Sequence, residues 1–211
     1  VKPHHKTDIL AEVNTFKRTL NPNESGPPSF EELISTQEIK KARAKVYNNK
    51  AGGSDGLVGE MIRAGKDQMD LFLAPLFNLC WCLEEINDEL WKSGTVVSIF
   101  KNSGSRKDPT KYRGITLHSI LGKMFSCIIA HRLRDFIENS DPDNPVLSNF
   151  QNGFRCKRSC NDHIMTLAEL LKNHRTHNLP TWLFFLDFKC AFDLVPHDFM
   201  FYSLHKSGIR G

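Results

Sequence analysis

Trp182-Leu183-Phe184-Phe185-Leu186-Asp187-Phe188-Lys189-Cys190-Ala191-Phe192-Asp193 is the stretch on which the reading of this chain turns. Trp182 to Leu186 is an unbroken apolar run, rich in aromatics and preceded by Pro180. It does not alternate apolar with polar residues, so it predicts a strand covered on both faces rather than a half-exposed one. Asp187 stands directly at its end. An ionised carboxylate that deep is costly unless a metal, a base or a helix terminus meets it. A carboxylate so presented is a common way to build a phosphoryl-transfer site. The residues alone equally allow Asp187 to cap a short helical turn over Cys190 to Leu194, with Asp193 a solvated residue on that turn.

Upstream lies Gln151-Asn152-Gly153-Phe154-Arg155-Cys156-Lys157-Arg158-Ser159-Cys160, a basic cluster of the kind that suits phosphates. A helix with Ile164, Leu167, Leu170 and Leu171 on one side follows it. Ser119 to Asn139 is the longest helical pattern. Ile120, Leu121, Met124, Phe125, Ile128, Ile129, Leu133, Phe136 and Ile137 form its apolar stripe, and Lys123, Arg132 and Arg134 are read as lying off it, toward a nucleic-acid backbone or water. Before that helix, the β-branched run Gly94 to Lys101 and the return Lys111 to Leu117 predict a hairpin. Lys101, Arg106, Lys107, Lys111 and Arg113 stand at its tip against Asp108 alone.

Ser35-Thr36-Gln37-Glu38 has the form of a capping box and predicts a helix from about Gln37 to Asn48. Asn48-Asn49-Lys50-Ala51-Gly52-Gly53-Ser54-Asp55-Gly56-Leu57 then marks a tight turn. Helices are expected over Leu57 to Ala64, over Asp67 to Glu85, and from Pro196 to Lys206. Asp8 to Leu20 is a further expected helix, and Asn21 to Pro28 is a linker by composition. The organisation expected is therefore residues 1–34 as an N-terminal helix and linker, and 35–211 as the domain proper.

With 211 residues, 40% hydrophobic and 25% charged, the chain has ordinary globular values, which argues against wholesale disorder. A net charge of +4 permits nucleic-acid binding without arguing for it. The longest apolar run, Phe72 to Leu83, is too short to span a bilayer, and no secretory signal is evident. The six cysteines form no paired ladder, so reduced thiols inside the cell are the simplest account. Cys156, Cys160 and His163 lack a fourth metal ligand, and their spacing suits a helix better. The first residue is Val1, as expected of a piece of a longer chain or a degraded reading frame.

The order from Phe185 to His197 resembles the first catalytic motif of non-LTR (LINE-type) retrotransposon reverse transcriptases, LDxxKAFDxV, with Cys190 where the family usually has lysine. Four other stretches are similar to that family in the same order. Lys50 to Leu57 matches KAxGxDGI, with Gly52 for its proline. The hairpin matches its PIFK and YRPISL, with Gly114 for proline. The long helix shares Gly122-Lys123 and Arg132-Leu133, and Gln151 to Cys160 matches QxGFRxxRST. The resemblance covers about residue 36 to the end.

It implies an α/β fold: the fingers and partial palm of a right-hand polymerase, helix-rich, with a finger hairpin and an incomplete palm sheet. The implied activity is RNA-directed DNA synthesis by two-metal phosphoryl transfer, with RNA template, DNA primer and deoxynucleoside triphosphates as partners. Asp187 would be catalytic and, with the Phe188 carbonyl, would ligate Mg2+. Phe192 would select the sugar, and Asp193 is more readily structural. Arg113 and Lys101 would hold the triphosphate, and Lys50, Arg155, Lys157 and Arg158 the nucleic acid. The family's later glycine-containing motif and paired aspartate do not occur, so a domain truncated after its first catalytic motif, inactive alone, is expected. A non-catalytic nucleic-acid-binding remnant, or an interaction module or pseudogene product without activity, are the other readings.

Overall fold

A computed structural model of the chain describes residues 11, 14, 15, 27–86, 88–139, 145–188, 191, 192 and 194–209. Ala11, Asn14 and Thr15 are helical; the rest of the helix expected over Asp8–Leu20, most of the linker after it, and Asp193 lie outside the described residues. The chain divides into two compact units, one formed by Pro28–Phe136 and one by Val1–Pro27 with Ile137–Gly211.

The Pro28–Phe136 unit contains α1 (Pro28–Glu31), α2 (Thr36–Ala44), α3 (Gly59–Ala64), α4 (Lys66–Leu83), a π turn at Asp88–Lys92, β1 (Gly94–Phe100), β2 (Tyr112–His118) and most of α5 (Ile120–Glu138). α2 begins where the capping box predicts. The Ser35 hydroxyl accepts from the Glu38 N–H at 3.3 Å, and Glu38 Oε2 accepts from the Ser35 N–H at 2.9 Å. Both donors would otherwise be orphaned at the helix start.

The core is built from Ile34, Ile39, Ala42, Ile62, Leu73, Phe77, Ile120, Met124, Phe125 and Ile128. At its centre Phe77 is fully buried. Its ring meets Trp91 and Phe125 edge-on, at centroid distances of 5.8 and 5.5 Å. Edge-to-face pairs of this kind add about 0.5–1.5 kcal/mol each beyond burial. Asn78 fastens the chain entering α2 by accepting from the Ile34 N–H at 2.6 Å and donating to the Ile34 carbonyl at 2.9 Å. Arg43 and Asp70 tie α2 to α4 through Nε–Oδ1 and Nη2–Oδ2 contacts of 2.7 and 2.9 Å, with Asp70 only 3% exposed.

One side chain on α5 departs from the expectation that it faces outward. Arg132 is 7% exposed and lies on the buried face, twelve residues (about three turns) beyond Ile120 and four beyond Ile128. Its Nε and Nη2 donate to Glu38 at 2.7 and 3.0 Å, and its Nη1 and Nη2 donate to the Glu32 and Leu33 carbonyls at 2.7 and 3.1 Å. The guanidinium also lies 5.1 Å from the centre of the Trp81 ring. Burial, the largest single influence, pushes the Glu38 carboxyl up, but hydrogen bonds from Arg132, the Ser35 N–H and the Ser35 hydroxyl together outweigh it and bring the carboxyl down to about 2. Arg132 is therefore a structural residue, paired with the same glutamate that closes the capping box.

β1 and β2 form an antiparallel hairpin in continuous register from Gly94↔His118 to Phe100↔Tyr112. The ladder extends one step further, with the Lys101 N–H donating to the Lys111 carbonyl at 2.8 Å. Asn102 and Gly104, at φ 55 and 80, turn the chain at the tip.

In the other unit the described elements are α6 (Cys160–Thr176) and α7 (His197–Lys206), and neither buries a residue. The strand expected over Trp182–Leu186 does not form. Residues 179–188 join no regular element, and Leu186 is 94% exposed. The physical reason is pairing: a strand needs a neighbour for its N–H and C=O groups, and the described residues hold two strands, both in the Pro28–Phe136 unit. The structure is thus helix-rich with one small antiparallel sheet.

Candidate functional site

The hairpin positions its charges by strand alternation. Opposite Ile99, Arg113 projects from one face, and alternation returns Lys101 to that same face. On the other face Phe100 and Tyr112 meet as a tilted pair with centroids 5.4 Å apart, and Arg106 lies 5.4 Å from the Phe100 ring centre. The Tyr112 hydroxyl donates to the Arg106 carbonyl at 3.0 Å, which fixes the loop from beneath. Lys101 Nζ donates to the Thr110 carbonyl at 3.1 Å.

The single carboxylate of the tip is turned inward. Asp108 accepts from the Thr110 N–H at 2.9 Å and hydroxyl at 2.7 Å, and these bonds hold its carboxyl below the usual range. It thus caps the short 3-10 turn at Pro109–Lys111. The exposed side chains of Arg113 and Lys107 have no partner among the described residues.

The second basic cluster is arranged differently. Arg155 donates to Glu138 through Nε at 3.2 Å and Nη2 at 2.8 Å, and its Nη1 reaches the Ser148 and Gln151 carbonyls. Arg158 donates through Nη1 to the Asn149 carbonyl at 2.9 Å and to Asn152 Oδ1 at 3.1 Å, and through Nη2 to Asn149 Oδ1 at 3.2 Å. Both guanidiniums therefore organise the 148–158 loop. Lys157, at φ 59, is exposed and has no partner among the described residues.

Asp187 is exposed, and Phe188 and Phe192 are likewise open. Phe192 meets Phe154 edge-on at 6.3 Å, which brings the Gln151–Cys160 loop and the Asp187 stretch together through one aromatic pair. Among the described residues no three His, Cys, Asp or Glu side chains gather as metal ligands. One exposed carboxylate does not hold two magnesium ions, which demand several oxygen ligands and keep their water otherwise. The described residues do not fit the two-ion site that the resemblance implies.

Lys50 stands in the turn between α2 and α3, on the wall of a cleft of about 240 Å³ that Lys45, Tyr47, Lys123 and Cys127 also line. Sequence reading missed this grouping. Its signal lay in the glycines of the turn: a Cβ on Gly53 would come within 2.5 Å of the Ser119 backbone N, so only glycine lets the turn lie against the start of α5.

Residues 100–211 match the family described as reverse transcriptase (RNA-dependent DNA polymerase). The chain is 31% identical over 176 residues to a 115 kDa protein in the type-1 retrotransposable element R1DM of Drosophila melanogaster, covering 82% of this chain and 16% of that protein. Against the RNA-directed DNA polymerase from the Drosophila melanogaster mobile element jockey, identity is 28% over 173 residues, 82% of this chain and 18% of the relative. The Pol polyprotein from type-1 retrotransposable element R1 of Bradysia coprophila is 30% identical over 127 residues, 60% of this chain and 12% of its own length. The chain thus spans less than a fifth of the length of these relatives. Among the described residues no helix is long and apolar enough to cross a membrane.

Proposed function

Because the chain belongs to the reverse transcriptase (RNA-dependent DNA polymerase) family, in its non-LTR retrotransposon branch, we propose that it supplies the fingers and the start of the palm of such a polymerase. In this reading the β1–β2 hairpin grips the triphosphate of an incoming deoxynucleotide, through Arg113 as a forked donor and Lys101 as a point charge. Lys50 and Lys157 meet the phosphates of an RNA template and DNA primer, inside the cell. Arg155 and Arg158 shape the loop that presents Lys157. Asp187 and the Phe188 carbonyl contribute one edge of the metal site, and Phe192 borders the sugar.

The observation that carries this reading is the unneutralised charge of the hairpin. Asp108 is consumed by Thr110, while Arg113 projects from a strand whose register is continuous to Phe100. A solvated face would serve equally well with its charges scattered or internally paired. A ribbon that aligns Arg113 and Lys101 on one face is what a polyphosphate requires.

The test is equilibrium binding of an RNA–DNA hybrid and of a fluorescent deoxynucleoside triphosphate over a range of salt. Arg113→Glu should weaken triphosphate binding by roughly tenfold or more, as expected for loss of one charge-assisted contact. Lys157→Glu should weaken the hybrid and lower its salt slope by about one. Unchanged affinity in both variants overturns the proposal. Primer extension by the 211-residue chain should match the no-enzyme control, because Asp187 has no companion ligands among the described residues. Extension that Asp187→Ala abolishes would contradict that part.

A further inference from the structure

The cleft beside Lys50 holds a combination of side chains that phosphate contact alone does not call for. Its floor is apolar, made by Ala42, Val46, Ile120 and Met124, with Cys127 and the exposed Ala51 on the wall. Tyr47 stands at the rim, 67% exposed. Lys45, Lys50 and Lys123 surround it, and among the described residues no carboxylate lines it. Lys50 and Lys123 have no partner among the described residues.

Three features build this cleft rather than leave it to chance. Gly53 lies so close to the His118–Ser119 backbone that the turn carrying Lys50 is fastened against the first turn of α5, which carries Lys123. Gly59 packs against the Tyr47 carbonyl and the Val46 side chain, which holds the Tyr47 segment from below. Lys45 is held by His131, whose Nε2 lies 2.5 Å from Lys45 Nζ and whose Nδ1 lies 3.8 Å from Cys127 Sγ. An ammonium only donates, so Nε2 is the acceptor and the imidazole proton sits on Nδ1, facing the sulfur.

We propose that this cleft takes one unpaired nucleotide of a single strand, with the base on the apolar floor against Tyr47 and the flanking phosphates on Lys50, Lys123 and Lys45. The proposal rests on the nucleic-acid reading above and adds a base-binding subsite to it. The volume decides the class. About 240 Å³ falls just below the roughly 300 Å³ where drug-sized ligand pockets begin, so a single ring system fits and a duplex does not. An aromatic rim over an apolar floor gives affinity through stacking, while surrounding ammonium groups read phosphate without sequence preference.

Cys127 provides the readout, because an occupant of the cleft must cover it. The full chain is labelled with N-ethylmaleimide in the presence and absence of an oligo(rA) octamer, and each cysteine is followed by peptide mass spectrometry. Exposed Cys82, on α4 and away from both basic clusters, serves as the internal reference. The octamer should slow labelling of Cys127 by roughly tenfold, the scale of one stacked base, and leave Cys82 unchanged. Tripolyphosphate, which has charge without a ring, should not protect. Tyr47→Ala and Lys123→Glu should each weaken octamer binding by fluorescence anisotropy, and Tyr47→Phe should restore it. An octamer that binds while Cys127 labels freely, or protection by tripolyphosphate alone, overturns the subsite and leaves the nucleic-acid reading standing. An octamer and hybrid that both fail to bind overturn the two together.

Discussion

Pro28–Phe136 and the described part of Ile137–Gly211 draw on similar residue types and reach opposite outcomes. Among its described residues the first buries ten apolar side chains, with Phe77 at their centre. The second carries Phe150, Phe154, Trp182, Phe184, Phe185 and Leu186 and leaves every one of them exposed. Apolar composition is therefore not what makes a core. In the first unit α2, α4 and α5 present facing stripes, and polar groups at their ends are mutually satisfied. In the second, α6 and α7 present no buried face, and the apolar run at Trp182–Leu186 has no strand beside it. Its apolar surface remains open to pairing with another chain.

Phe77→Ala and Phe185→Ala give the sharpest contrast. The first should cost about 3–5 kcal/mol, as for a buried aromatic replaced by a cavity. The second should change the unfolding free energy by less than about 0.5 kcal/mol and raise solubility. Denaturant melts followed by near-UV circular dichroism would measure both, and equal effects would erase the distinction between the units.

Arg132→Ala should cost about 3–5 kcal/mol, since it leaves the half-buried Glu38 carboxylate without its partner. By contrast Arg155→Ala, whose partner Glu138 lies in the open second unit, should have a much smaller effect. Comparable losses at the two arginines would show that the second unit is as tightly built as the first.

The Glu38 pair also sets a pH window. Its carboxyl is held at about 2 against an ordinary value of 4.5. A depressed carboxylate contributes stability that is complete above the unfolded value and fades as pH falls toward the folded one. Stability of the Pro28–Phe136 unit should therefore drop by about 1–2 kcal/mol between pH 4.5 and 2, a figure reduced for the part of Glu38 that water still screens. Glu38→Gln should flatten that limb of the profile. An unaltered acid limb in the variant would mean that other groups carry it.

The smallest effect concerns His131. Burial, then Lys45, holds its imidazole below the usual histidine value. It is therefore neutral in the fold, and stability should decline slightly as pH falls through the ordinary value near 6.5, where the unfolded chain takes up the proton first. His131→Gln should remove this slope, measurable as the melting temperature at pH 7.5 against pH 6; persistence of the slope would assign it elsewhere.

Local sequence determined a great deal here. Ser35 and Glu38 announce the start of α2, glycines mark the Lys50 turn, and β-branched residues bounded by turn residues give the β1–β2 hairpin. The motif order from Lys50 to Asp193 carried the family. These features are legible because they depend on neighbours within a few residues, where propensity, capping and alternation act. Tertiary structure alone decided the rest. Arg132 meets Glu38 across 94 positions and Asn78 meets Ile34 across 44, so no local pattern separates a buried structural arginine from a phosphate-binding one. Arg155 turned inward because Glu138, seventeen residues earlier, lies within its reach. Trp182–Leu186 has the composition of an inner strand, yet a strand exists only where another supplies its hydrogen bonds, and that condition is written in the partner rather than in the run itself.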